Sequence, residues 1–362
     1  MGERRFPCAR CGARLEYLPG TASMRCPYCA HENPIEDAAE PVEELDYHAQ
    51  LAELAGREPV DETLVVKCSA CAAEITAPDN VTAISCPFCS ADIVATAKSK
   101  KAIRPHALLP FAIDRAEAQT AFHRWLGRLW FAPADLKRFA RLDARMRGVY
   151  TPCWTFDAVA DTAYTGQRGD DYWTTQMQTV MVNGKPTVRP VQVKQTRWRS
   201  ASGRVRNAFD DLLVIASRSL PRAQAKKLEP WSLHELVPSQ DEDLSGFEAE
   251  SYQVGLEDGF GVAQTLARPL IEATIRRDIG GDQQRIHSMT PTWSAITFKY
   301  VLLPVWVSAY RHKGKTHRFL VNARTGEVQG ERPWCWWKIA GAILAVLAVL
   351  GILALTVAHV RQ

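Results

Sequence analysis

CARCGARLEYLPGTASMRCPYC (residues 8–29) and CSACAAEITAPDNVTAISCPFC (residues 68–89) are two copies of one pattern, set sixty positions apart. Each has a Cys-x-x-Cys pair, fourteen intervening residues, and a second Cys-x-x-Cys pair. The ligand candidates are Cys8, Cys11, Cys26 and Cys29 in the first copy, and Cys68, Cys71, Cys86 and Cys89 in the second. Apolar positions keep the same offset: Leu15 with Ile75, Met24 with Ile84, and Tyr28 with Phe88. Shared spacing of cysteines and apolar positions marks an internal repeat. Two residues between paired thiolates let one tight turn aim both sulfurs at a single ion, at about 2.3 Å each. A unit of this length buries too little apolar surface to fold alone. A structural zinc site makes up the deficit, at about 10–16 kcal/mol. Four thiolates leave no open coordination position, so two structural Zn2+ ions are expected rather than catalytic ones.

The repeat resembles the TFIIB-type zinc ribbon, whose knuckles usually read Cys-Pro-x-Cys-Gly. Pro27, Pro87 and Gly12 match that pattern, whereas Ala30, Ala72 and Ser90 stand where glycine is usual. The turn at those positions favours a positive φ. Thiolate ligands need a reducing compartment, and residues 1–14 contain no apolar signal-peptide core,. These points place the ribbons in the cytoplasm.

The remainder of the 362 residues has an ordinary globular composition, 46% hydrophobic and 23% charged,. A net charge of +4 is too small to mark the whole chain as a nucleic-acid binder,. The charge is unevenly distributed. Residues 32–62 are acidic, with Arg57 the lone cation, and residues 98–147 are rich in Lys and Arg. An anionic partner, or contact between the two regions, would suit that asymmetry.

Residues 339–358, IAGAILAVLAVLGILALTVA, carry no charge. At about 1.5 Å per residue this run would span a bilayer's hydrocarbon core of roughly 30 Å. Trp334, Trp336, Trp337 and Lys338 precede it as an interfacial belt would,. The expectation is a single-pass tail anchor in the plasma (inner) membrane, with the N-terminal bulk in the cytoplasm.

Six segments follow: zinc ribbon 1 (1–35), an acidic helical linker (36–62), zinc ribbon 2 (63–97), a basic helical segment (98–148), an α+β domain (149–332), and an interfacial Trp segment with the transmembrane helix (333–362). In the basic segment, Asp114 and Glu117 have capping-box spacing, and Phe122, Trp125, Leu126, Leu129 and Trp130 share a helical face,. A second helix is expected at 133–145. Strands are expected at 154–164, 172–182, 187–199 and 204–209, with a hairpin turn at Asn183-Gly184. A helix is expected at 259–279 and a second β run at 297–330. The fold class is therefore α+β: two four-cysteine ribbons, a mainly antiparallel β-rich domain with helices, and one C-terminal transmembrane helix.

Catalytic motifs fail their tests. Gly314-Lys315-Thr316 lacks the glycine a phosphate loop needs, since Ala309 stands there,. His234-Glu235 opens like a zincin helix, but the second histidine position is Pro238,. Asp210, Asp211, Asp278 and Asp282 fit caps and turns better than acid–base work, and Cys153 and Cys335 stand outside the metal pattern. Leu303-Pro304-Val305-Trp306, Trp154-Thr155-Phe156-Asp157-Ala158 and residues 321–328 further resemble bacterial zinc-ribbon membrane proteins of the kind labelled primosomal or helicase-like. Relatives of that kind resemble partners of phage-shock and SPFH-type membrane-stress proteins. The resemblance implies a membrane-anchored, non-catalytic adaptor that recruits cytoplasmic proteins, with the lipid bilayer as a further partner. The alternative is a membrane-tethered nucleic-acid binder.

Overall fold

The computed structural model describes residues 6–35, 41–56, 62–68, 73–76, 83–86, 88, 92–94, 98–101, 103–133, 146–182, 185–219, 224, 226–240, 242–312, 315–331 and 335–360. Its centre is three very long strands: β11 (Arg147–Val182), β12 (Lys185–Ile215) and β15 (Gln283–His312). The chain reaches them through β1 (Glu16–Tyr17), β2 (Ser23–Arg25), β3 (Glu32–Pro34), β4 (Leu45–Asp46), α1 (Tyr47–Gly56), β5 (Glu62–Lys67), β6 (Glu74–Thr76), β7 (Ala83–Ser85), β8 (Asp92–Val94), β9 (Lys98–Lys101), β10 (Ala107–Leu108) and α2 (Arg115–Arg128). Short strands β13 (Val237–Pro238) and β14 (Glu248–Ala249) follow β12, then α3 (Leu256–Ile279). After β15 come β16 (Lys315–Asn322), β17 (Val328–Gly330) and α4 (Trp336–Val360).

β12, β11, β15, β10 and β13 lie in that order in a nine-stranded sheet, with β4, β14, β16 and β17 pairing alongside. The β strands expected at 154–164 and 172–182 are one continuous strand. β12 and β15 both pair with it through the intervening Thr165-Gly166-Gln167-Arg168, past a register shift at Thr165/Gly166. Tyr150-x-Pro152-x-Trp154 and Leu302-x-Pro304-x-Trp306 meet in the central pair, where Tyr150 faces Pro304 and Pro152 faces Leu302. Trp154 is buried beside them, its indole N–H donating to the Val254 carbonyl at 2.9 Å.

α3 lies on one face of the long strands. Leu256, Phe260, Ala263, Ala267, Ile271, Ile275 and Ile279 recur at intervals of three or four and are buried. The five larger of these contribute about 10 kcal/mol of gross apolar burial. Glu257 and Asp258 at its start, and Arg276 and Arg277 at its end, oppose the helix dipole,. Its partners on the strands are Ala160, Tyr164, Val205 and Phe209. α2 has the anticipated capping box, with the Asp114 carboxylate accepting from the Glu117 amide at 2.8 Å. Phe122, Leu126 and Leu129 enter the core, but Trp130, expected on the same face, lies beyond the helix end and is exposed. The helix expected at 133–145 lies outside the described residues apart from Pro133.

The tail requires a correction. A helix forms there, α4, but among the described residues no helix is long and apolar enough to cross a membrane. The transmembrane and tail-anchor readings, and the single-pass inner-membrane localisation built on them, are withdrawn. The fold class changes with them. The described chain is a mainly β fold with four helices, rather than an α+β domain closed by a membrane span.

Candidate metal centre

Two backbone knuckles with one hydrogen-bond pattern build the site. In the first, the Cys8 amide donates to the Ala13 carbonyl at 2.7 Å, and Gly12 donates back to the Cys8 carbonyl at 2.9 Å. In the second, Cys26 donates to His31 at 2.9 Å and Ala30 donates back to Cys26 at 3.0 Å. Gly12 has φ +74° and Ala30 φ +56°, so both turns use the left-handed region at the residue after the second cysteine. The antiparallel sheet β1–β2–β3 carries the knuckles side by side, with Tyr17 opposite Met24. Leu15, Met24, Cys8 and Cys26 are buried together against Phe6, Ala13 and Ile35.

The four sulfurs converge. Cys8 Sγ lies 3.6 Å from Cys29 Sγ, and Cys11 Sγ lies 3.4 Å from Cys26 Sγ. All four lie within 4.8 Å of one another. Sulfurs at tetrahedral corners 2.3 Å from an ion stand about 3.8 Å apart, so the spacing fits a four-thiolate shell. Burial pushes the Cys8 thiol up, but the Cys11 and Arg10 amides and the neighbouring sulfurs outweigh it and bring it to about 6. At Cys11 the Ala13 amide pulls down, yet the Cys26 and Cys29 sulfurs push it up to about 12. Neighbouring thiolates repel one another, and a cation between them removes that conflict. The donor set therefore fits a metal ion.

The metal module is joined to the turn before β14 and to the segment after β10. The Tyr17 amide donates to the Ser245 carbonyl at 3.0 Å, and the Ser245 hydroxyl donates to the Leu15 carbonyl at 2.7 Å. Gly20 donates to Phe111 at 2.8 Å. A Cβ on Gly20 would meet the Ala112 carbonyl oxygen at 2.9 Å, and its φ of +77° also suits glycine.

Of the second ligand set, Cys68 and Cys86 are described and buried, packed with Ala73, Ile75 and Phe88 against Val149, Val305 and Leu320. Cys68 donates to the Ala73 carbonyl at 2.8 Å, matching Cys8 with Ala13. Cys71 and Cys89 lie outside the described residues, so a closed four-cysteine cluster is seen once rather than as the expected repeat. The matched aromatics also part company: Tyr28 is 83% exposed and Phe88 fully buried.

The acids singled out in the sequence fall in two places. Asp157, Asp210 and Asp211 converge where a β-bulge lifts Asp157 out of the β11–β12 ladder. The Asp157 carboxylate accepts from the Asp211 amide at 2.7 Å, and Asp211 has φ +52°. Lys299 fills the cation position beside this group, with Nζ 2.9 Å from Asp211 and 3.0 Å from Glu44. The chain thus supplies one cation of its own to this group of carboxylates. Asp278 accepts from the Tyr164 hydroxyl at 2.5 Å, and Asp282 accepts from the Asp171 amide at 2.8 Å; both are turn-holding roles. Cys153 is buried at the central strand pair and its thiol is pushed far up by burial. Sequence reading missed Lys299 and Glu44, because only the β4–β15 pairing brings them together.

Fold and site define a mainly β protein with an N-terminal four-cysteine cluster suited to a metal ion. It is similar to a Bacillus subtilis (strain 168) protein described as "Uncharacterized protein YdjG", at 27% identity over 251 residues. The match covers 66% of this chain and 66% of that relative, just under two thirds of its length. No family model matches the chain, and no solved structure matches it.

Proposed function

We propose that the chain is a non-catalytic adaptor, in which zinc-bound cysteine modules of the ribbon type hold a β platform that gathers protein partners. The observation carrying this reading is the closed four-sulfur shell, whose module is hydrogen-bonded to the buried Ser245 in the turn before β14. Such a shell offers substrate no coordination position and gives the metal an architectural task,. Zinc is the ion that four thiolates at this spacing suit. A second zinc belongs with Cys68, Cys71, Cys86 and Cys89. Tyr28, between the ligands Cys26 and Cys29, is exposed and supplies an aromatic contact at the knuckle,.

The test is crosslinking of the full chain in intact cells, with Cys8→Ser and Tyr28→Ser variants alongside wild type. A defined protein set, lost in both variants, is the expected outcome. The same set captured by all three chains would sink the reading. A nucleic-acid role has one observation in its favour: Arg197, Arg199, Arg204 and Arg206 are all exposed on β12. It predicts an affinity that falls steeply with salt, because phosphate contacts release counterions. Titration of labelled single-stranded DNA at two salt concentrations decides it, and salt-independent or absent binding removes it.

A further inference from the structure

β15 stays beside β11 only as far as Gly169, which faces Gln283. Beyond that point β11 and β12 run on as a two-stranded arm, with pairing continuing to Val182 opposite Lys185. An isolated two-stranded ribbon is marginally stable in water. This one also carries an exposed apolar stripe: Trp173 is 65% exposed, Met177 67%, Met181 70% and Val188 58%. Residues directly opposite in an antiparallel pair share a face. The register places Met177 across from Pro190, Thr179 across from Val188, and Met181 across from Pro186. All of these therefore lie on the same side as Trp173.

We propose that this stripe is where two copies of the chain pair, arm against arm, about a twofold axis. The face is ready to lose its water. Its one cation, Lys194, is held by Asp171 at 2.7 Å. The Gln192 side-chain amide donates to the Thr175 hydroxyl at 3.0 Å, so these polar groups already satisfy each other,. The opposite face carries exposed Arg189 and Arg197, the latter over the Tyr172 ring, and would repel its own copy. Trp173 and Met181 stand equally far from Met177 along the strand. An axis through Met177 therefore sets Trp173 of one copy on Met181 of the other, a favourable sulfur–aromatic contact. The four side chains offer roughly 500 Å² per copy, near the lower bound for a specific interface, which points to micromolar rather than nanomolar pairing.

Sedimentation of the full chain without detergent, between about 1 and 100 µM, tests this. Wild type is expected to pass from monomer to dimer within that range. Trp173→Ser/Met177→Ser should weaken pairing at least tenfold, while Gln176→Ser/Gln178→Ser on the opposite face leaves it unchanged. Both double variants alter exposed positions, and circular dichroism checks that they fold. A wild-type chain that stays monomeric at about 100 µM overturns the proposal. So does a Trp173→Ser/Met177→Ser chain that pairs as wild type does, since its contact would then lie elsewhere.

Discussion

The Ser245 hydroxyl donates to the Leu15 carbonyl at 2.7 Å, joining two residues 230 positions apart in the chain. The return bond, from the Tyr17 amide to the Ser245 carbonyl, makes this a two-point clamp between the cysteine module and the turn before β14. Ser245 is buried, so deleting its hydroxyl leaves the Leu15 carbonyl short of a partner. Ser245→Ala is expected to cost about 1–2 kcal/mol, read as a lower urea midpoint with an unchanged slope. Faster amide exchange at Tyr17 should accompany it.

Ala30 holds φ +56° in the knuckle after Cys29, a conformation that costs a residue with a Cβ about 1–2 kcal/mol,. Ala30→Gly relieves that strain and gives back part of it through the flexibility glycine adds to the unfolded chain. The expected net effect is a gain of about 0.5–1 kcal/mol in module stability, seen as a higher chelator concentration at half-loss of metal. A lower concentration would contradict the knuckle geometry.

Two glycines of α3 should respond in opposite directions. A Cβ at Gly259 would meet Trp154 Cδ1 at 2.8 Å, whereas one at Gly261 meets nothing within 4 Å. Alanine gains about 1 kcal/mol of helix propensity over glycine at either position. At Gly261 that gain should appear nearly whole as a raised Tm. At Gly259 the buried indole has no room to retreat, and overpacking of about 1–3 kcal/mol outweighs it.

The Asp157 and Glu44 carboxyls share a hydrogen bond and titrate apart. Burial raises Asp157 to about 6, with the Asp211 amide pulling down and Glu44 pushing up. The Thr297 hydroxyl first, then Asp157, lowers Glu44 to about 2 although burial pushes it up, with Lys299 adding to the fall. A raised carboxyl destabilises the fold as pH rises from 3.8 through about 6,. A lowered one stabilises it above 4.5, and that stability is lost as pH falls towards 2,. Asp157→Asn keeps an oxygen for the Asp211 amide and offers an N–H to Glu44 in place of the carboxyl proton, so it removes the first effect and retains the second. The variant should match wild type near pH 3.5 and exceed it at pH 7 by about 1 kcal/mol after solvent screening. Urea denaturation across that pH range reads the difference.

Local rules made parts of this molecule legible. The cysteine spacing placed Cys8, Cys11, Cys26 and Cys29 in one cluster, because a Cys-x-x-Cys turn fixes its own geometry,. Asp114 and Glu117 are likewise a contact three residues apart. The helix at 259–279 was legible from its spacing of apolar residues. What escaped depends on distant pairing. The length of β11 and β12 follows from partner strands that supply hydrogen bonds through the polar stretch at 165–171. Lys299 meets Asp211 only because β15 lies beside β11, whose bulge presents Asp157 to the same spot. The uncharged run at 339–358 satisfied a length rule for a membrane span, but among the described residues no helix is long and apolar enough to cross a membrane.

Native mass spectrometry of the full chain, wild type beside Cys26→Ser, tests the central claim most directly. The account predicts two zinc ions on wild type and one on Cys26→Ser, with α3 and the long strands still protected from exchange. A metal-free wild-type chain, or a Cys26→Ser chain that keeps the full metal count, would contradict it.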